Sequence, residues 1–127
     1  DNKNIIISTG ESNLYYVNPE TFAVEKIVGV TDNSGPVNDI NELEFVNGYI
    51  FANKYQTNQI LKINAETGRI EGILDFTDLI NKYNLQPQLG ADATGPEVMN
   101  GIAYNAAKNT FLITGKRWPM IFELKID

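Results

Sequence analysis

The chain has 127 residues, 43% of them apolar, which suits one domain with an ordinary core or part of one. Its formal charge is −6, with ten scattered Lys and Arg residues against sixteen Asp and Glu, a balance that argues against nucleic acid and anionic membrane as partners. It has no histidine and no cysteine, so Ser-His-Asp and Cys-His nucleophile systems, His- or Cys-based zinc sites and thiol redox chemistry are excluded. Catalysis, if present, rests on carboxylate, lysine, tyrosine, amide or backbone groups. No apolar run approaches the roughly 18 residues of a membrane span, and no signal peptide is recognisable. The opening Asp-Asn-Lys-Asn, without an initiator Met, predicts a chain that is processed or excised from something longer.

In chain order the pattern is β almost throughout. Ile5–Ser8, Leu14–Val17 and Ala23–Val28 are short β-prone runs separated by the turns "TGES" and "NPET". Gly35-Pro36 reads as an entry turn to the next group. Leu43–Val46 and Tyr49–Ala52 flank Asn47-Gly48, a two-residue hairpin signal because both residues tolerate positive φ. Ile60–Ile63 and Arg69–Leu74 follow, joined by "NAETG". Phe76–Asn84 changes period, with Phe76, Leu79, Ile80 and Tyr83 at helical spacing, and precedes a Pro/Gly-rich loop that ends on a second entry turn, Gly95-Pro96. Ile102–Tyr104, Thr110–Thr114 and Met120–Ile126 complete the series, giving ten strands.

The chain also matches itself. "NELEF" (Asn41–Phe45) aligns with "NGIAY" (Asn100–Tyr104), and "YIFANKY" (Tyr49–Tyr55) with "TFLITGK" (Thr110–Lys116) after a small slip. "LYYVNPETF" (Leu14–Phe22) aligns with "ILKINAETG" (Ile60–Gly68), sharing an Asn-x-Glu-Thr turn. The repeated unit is a meander of four antiparallel strands, the blade of a β-propeller. On that register, residues 1–30 are an incomplete blade carrying strands two to four. Residues 41–76 are a complete blade, 77–97 a helix and loop insertion, and 98–127 a blade with strands one to three. Propellers close with about four or more blades. The expectation is therefore a partial propeller that belongs to a longer chain or closes by association, its open edges at Ile5–Ser8 and Met120–Ile126 inviting a partner.

The stretches "GPVNDINELEFVNGYIFANKYQTNQILKINAETGRI" and "EVMNGIAYNAAKNTFLITGKRWPMIFEL" together resemble the C-terminal half of the glutamine cyclotransferase family, the plant and bacterial type of glutaminyl-peptide cyclotransferase. The linked strings "NELE", "AN-x-x-x-T", "NGIAY" and "TGK-x-WP" carry the resemblance across nearly the whole chain. It implies a five-bladed propeller and an acyltransferase that turns the N-terminal glutamine of a peptide or protein into pyroglutamate with release of ammonia. It also implies that no metal or other cofactor is used, and that the protein is exported, periplasmic or extracellular. The substrate's own α-amine attacks its γ-carboxamide, so orientation, a proton-shuttling carboxylate and oxyanion donors are what the enzyme must supply.

By resemblance, Asn41 matches a pocket asparagine that hydrogen-bonds the substrate, and Asn100 holds the repeat-equivalent position. Tyr55 falls where many members carry a pocket tryptophan, which keeps an aromatic wall. Lys116 matches the pocket lysine of "TGK-x-WP", with Trp118 and Pro119 fixing the loop around it. The acid/base glutamate is expected in a Gly-Glu-Gly context in an earlier blade, so none of the catalytic residues is expected here. Read without the family, Asn41 and Asn100 are strand-entry residues, Tyr55 packs between blades and Lys116 is a solvated hairpin lysine. Alternation places Glu42 and Glu44 on one strand face, as buried hydrogen-bonding or pocket-rim carboxylates. Asp32, Asp39 and Asp92 lie in loops without calcium-loop spacing, so no metal site is expected. The alternative function is a non-catalytic propeller module that binds a peptide or serves assembly.

Overall fold

Turn chemistry sets the strand order. Asn47 and Gly48 both take positive φ (50° and 84°), closing a two-residue hairpin whose twist matches its flanking strands. Three further turns reuse one asparagine device. The Oδ1 atoms of Asn18, Asn64 and Asn105 each accept backbone N–H groups two and three residues ahead, at 2.9 to 3.3 Å. These Asx turns fold the chain back where the Asn-x-Glu-Thr repeat and Asn105-Ala106-Ala107 stand.

The structure is a computed structural model in which residues 3–85 and 97–126 are described. The first sheet holds β1 (Ile5–Ser8), β2 (Asn13–Val17) and β3 (Val24–Gly29) in that order. A two-stranded ribbon of β4 (Thr31–Asp32) and β5 (Gly35–Pro36) leads to the second sheet, β6 (Ile40–Val46), β7 (Tyr49–Lys54), β8 (Gln59–Asn64) and β9 (Ile70–Asp75). Helix α1 (Thr77–Lys82) follows, and the third sheet comprises β10 (Met99–Asn105), β11 (Thr110–Gly115) and β12 (Phe122–Leu124). Every ladder in these sheets is antiparallel.

The expected all-β class and the grouping of strands as three, four and three are present, and the helix lies inside Phe76–Asn84. Some details differ. The ribbon was not foreseen, because two-residue strands leave no periodic signal, and Gly35-Pro36 sits within it. The last strand is shorter than Met120–Ile126: Pro119 has no N–H for a ladder, and the Met120 carbonyl instead accepts from Thr114 Oγ1 at 2.9 Å. Gly95-Pro96 and Asp92 lie outside the described residues.

The second sheet is the middle layer and is buried on both faces. Ile50 and Ala52 on β7, with Leu61 and Ile63 on β8, join Leu14, Val28 and Ile40 in a cluster against the first sheet. Their neighbours Phe51 and Ile60 point the other way, into a cluster with Ile80 of α1 and Met99, Phe111 and Ile113 of the third sheet. Phe51 and Phe111 meet at 4.6 Å between ring centroids. This is why "YIFAN" and "QILKI" read as nearly continuous apolar runs: period 2 persists, but both faces want carbon. Each such fully buried Leu or Ile contributes roughly 1.5–3 kcal/mol. The Tyr16 hydroxyl adds a polar tie by donating to the Ala65 carbonyl across the first interface.

Candidate functional site

The inner strands β6 and β10 carry the same irregularity. Ile40 pairs with Lys54 and Leu43 with Ala52, so Asn41 and Glu42 together oppose the single residue Asn53. Met99 pairs with Gly115 and Ile102 with Ile113, so Asn100 and Gly101 together oppose Thr114. Each is a β-bulge, which bends its strand and re-aims a side chain. In the second bulge Gly101 takes φ 128°, a conformation glycine adopts without strain.

The turns facing these bulges also correspond. Thr57 N–H donates to the Lys54 carbonyl at 3.1 Å, and Trp118 N–H to the Gly115 carbonyl at 3.2 Å. Each is a four-residue turn with positive φ at its third residue, Gln56 at 61° and Arg117 at 60°. The second residue of each turn, Tyr55 or Lys116, is tied back to the residue that enters the inner strand. Tyr55 N–H donates to the Asp39 carbonyl at 2.8 Å, and Lys116 N–H to the Val98 carbonyl at 2.9 Å.

These two frames put Asn41, Tyr55, Asn100 and Lys116 around one cavity of about 210 Å³, together with Gly10 and Asp39. Lys116 Nζ lies 3.4 Å from Tyr55 Oη and 4.9 Å from the centroid of its ring. A cation against an aromatic face at this range is held electrostatically while its remaining donors stay available. The residues around the cavity therefore include two amides, an ammonium group, an aspartate and one aromatic ring.

All four residues singled out in the sequence line this cavity. Asp39 and Gly10 were missed as lining residues. Asp39 occupies a loop with φ 66° and donates its N–H to the Gly10 carbonyl at 3.0 Å, and neither residue type carries a signal for that placement. Glu42 and Glu44 do not line the cavity, so the pocket-rim reading of the pair fails. The two carboxylates differ in exposure: Glu42 is exposed, whereas Glu44 is partly buried and accepts a hydrogen bond from the Tyr104 backbone N–H. Burial pushes the Glu44 carboxyl above the ordinary glutamate value, the Tyr104 bond opposes this and the Glu42 charge adds to it. Trp118 stands behind the cavity, its indole against Gly115 and its Nε1–H directed at the Glu97 carbonyl at 3.3 Å. Among the described residues no cluster of three or more Asp and Glu side chains is arranged to hold a metal ion.

A family model described as Glutamine cyclotransferase matches residues 1–126. The chain belongs to the glutamine cyclotransferase family. A glutaminyl-peptide cyclotransferase of Arabidopsis thaliana is 32% identical over 126 residues, covering 99% of this chain and 38% of the relative. The crystal structure of Myxococcus xanthus glutaminyl cyclase superposes with a TM-score of 0.88 at 33% identity, covering 100% of this chain and 53% of that one. The chain thus spans about half or less of the length of these relatives. No helix among the described residues is long and apolar enough to cross a membrane.

Proposed function

We propose that the full-length gene product is a glutaminyl-peptide cyclotransferase acting on N-terminal glutamine, and that the cavity at Asn41, Tyr55, Asn100 and Lys116 is part of its substrate pocket. The observation that carries this is the convergence of those four residues, from two repeated frames, on one cavity in a member of this family. The three sheets are read as consecutive blades of a five-bladed propeller. The edges of β1 and β12 that pair with no strand among the described residues are read as covered by further chain or by a second copy, because unpaired strand edges invite pairing. A periplasmic or extracellular location accompanies the reading.

The reaction forms a bond between the substrate's α-nitrogen and its γ-carbonyl carbon, breaks the bond from that carbon to the amide nitrogen, and moves a proton from the former nitrogen to the latter so that ammonia leaves. The substrate supplies both nucleophile and electrophile, so the pocket's task is to fold it back on itself. Asn41 and Asn100 hold the α-amino end and the carboxamide in register. The Lys116 ammonium, positioned against Tyr55, faces the oxygen that becomes negative, where a preorganised donor acts most strongly. The Tyr55 ring walls the pocket and excludes water. The proton shuttle falls to a glutamate on an earlier blade.

The test is an ammonia-release assay on a peptide with N-terminal glutamine. The full-length gene product should cyclise it, whereas the 127-residue chain alone should not exceed background, since losing a general acid/base costs about 10²–10⁴-fold. A full-length product that binds the peptide and never releases ammonia would instead establish the binding-module alternative.

A further inference from the structure

Each bulge that presents a cavity asparagine is held from the neighbouring sheet by the last or next-to-last residue of a second strand. Ser8, at the end of β1, donates its hydroxyl to the Asn41 carbonyl at 2.6 Å. Asn53, near the end of β7, accepts the Gly101 N–H on its Oδ1 at 3.0 Å. The two contacts fall on corresponding peptides: the Asn41 carbonyl belongs to the 41–42 peptide, and the Gly101 N–H to the 100–101 peptide. One device, a polar side chain pinning the bulge of the next sheet, thus occurs twice with different chemistry.

Asn53 is the more informative of the two. It is fully buried at 0% exposure, yet its Nδ2 has no hydrogen-bond partner among the described residues. A buried amide with one unmade bond is a worse choice for packing than an isosteric leucine, because its desolvation is only half compensated. Its one bond goes to the peptide that aims Asn100. A bulge peptide stands outside the regular ladder, so it rotates more readily than its neighbours and a hydrogen bond across it restricts that freedom.

We propose that Ser8 and Asn53 are positioning residues for the cavity: through the bulge peptides they fix the directions in which Asn41 and Asn100 reach the substrate. Neither lines the cavity itself. The proposal rests on the reading of this cavity as the glutamine site, so its test must be separable from that reading. Double-mutant cycles on the full-length gene product provide the separation, with kcat/KM for a Gln-peptide and the urea unfolding midpoint both measured.

Asn53→Leu should lower kcat/KM by about 10-fold or more, as misplacement of a substrate-orienting group does. In an Asn100→Ala background the same substitution should change kcat/KM by less than about twofold, because the group it positions is gone. Ser8→Ala should show the same loss alone and the same silence beside Asn41→Ala. It removes a single hydroxyl at a partly buried site, so it decides the matter if Asn53→Leu fails to fold. Asn53→Ser, which keeps an acceptor, should recover part of the loss. Losses that add in full in both cycles, or that follow the unfolding midpoint, overturn the proposal and leave a structural role. If Asn41→Ala and Asn100→Ala are themselves silent while the enzyme cyclises glutamine, the cavity reading has failed and the positioning claim falls with it.

Discussion

The two halves of the cavity share a pairing scheme and a turn, and differ in what they display on them. The Asn41–Tyr55 half and the Asn100–Lys116 half have the same bulge, the same four-residue turn and the same tie from turn to strand entry, with distances agreeing within about 0.1 Å. At the equivalent second turn position one carries a phenol and the other an ammonium group, 3.4 Å apart. Repetition therefore supplies geometry, and substitution on the repeat supplies chemistry. The halves also differ in what braces the turn. Thr57 closes one with its hydroxyl, donating to the Lys54 carbonyl at 2.7 Å and accepting the Gln59 N–H at 3.2 Å. Trp118 closes the other by stacking an indole on Gly115 and reaching Glu97.

That difference in bracing is the easiest to break. Trp118→Ala should cost about 3 kcal/mol, within the range for deleting a large aromatic from a packed site, and should be read from the shift in urea midpoint. A cost below about 1 kcal/mol would mean that the indole is dispensable to the loop. Gly115→Ala attacks the same contact from the opposite side. A Cβ there would lie 2.2 Å from Trp118 Cε2, so the indole must move, and overpacking of this kind costs about 2 kcal/mol. The corresponding residue in the other half, Lys54, already carries a side chain, so Lys54→Ala should be close to neutral by comparison. Thr57→Ala should cost about 1 kcal/mol, the scale of one net hydrogen bond. If it matched Trp118→Ala, the claim that the two turns are braced by different means would be wrong.

The smallest effect concerns the seam between the inner strands. Burial raises the Glu44 pKa in the folded chain, so the folded form binds this proton more tightly than the unfolded form does. The stability linked to that proton is fully present below the ordinary glutamate pKa and is lost as pH rises through the raised folded value. Glu44→Gln carries no such proton. Its stability relative to the parent should be flat in acid and should rise in the variant's favour across that window. A ratio of stabilities that does not vary with pH would show that Glu44 is as solvated in the folded chain as in the unfolded one.

How much of this could be read beforehand follows from what each feature leaves in a sequence. Strands β6 to β9 were legible because β-branched and aromatic runs alternate with Asn-Gly and Asn-x-Glu-Thr turns. The four cavity residues were legible through two signals, the self-alignment of "NELEF" with "NGIAY" and the family strings around Lys116. The bulges were not, because an extra residue in a ladder has no compositional mark. Asp39 was hidden for a related reason: its place beside the cavity follows from a loop conformation with φ 66°, which aspartate permits but does not announce. Asn53 stood in view inside "AN-x-x-x-T", but only the three-dimensional pairing reveals that its amide serves the neighbouring sheet.

If the proposed pocket is correct, the repeated frame holds Lys116 and its companions against a folded glutamine. The most direct measurement is turnover of a Gln-peptide by the full-length gene product carrying Lys116→Ala, set beside its unfolding midpoint. kcat should fall by about 10²-fold or more, as for removal of one preorganised oxyanion donor, with the midpoint unchanged because Lys116 lines the cavity. Undiminished turnover in this variant would contradict the proposed pocket.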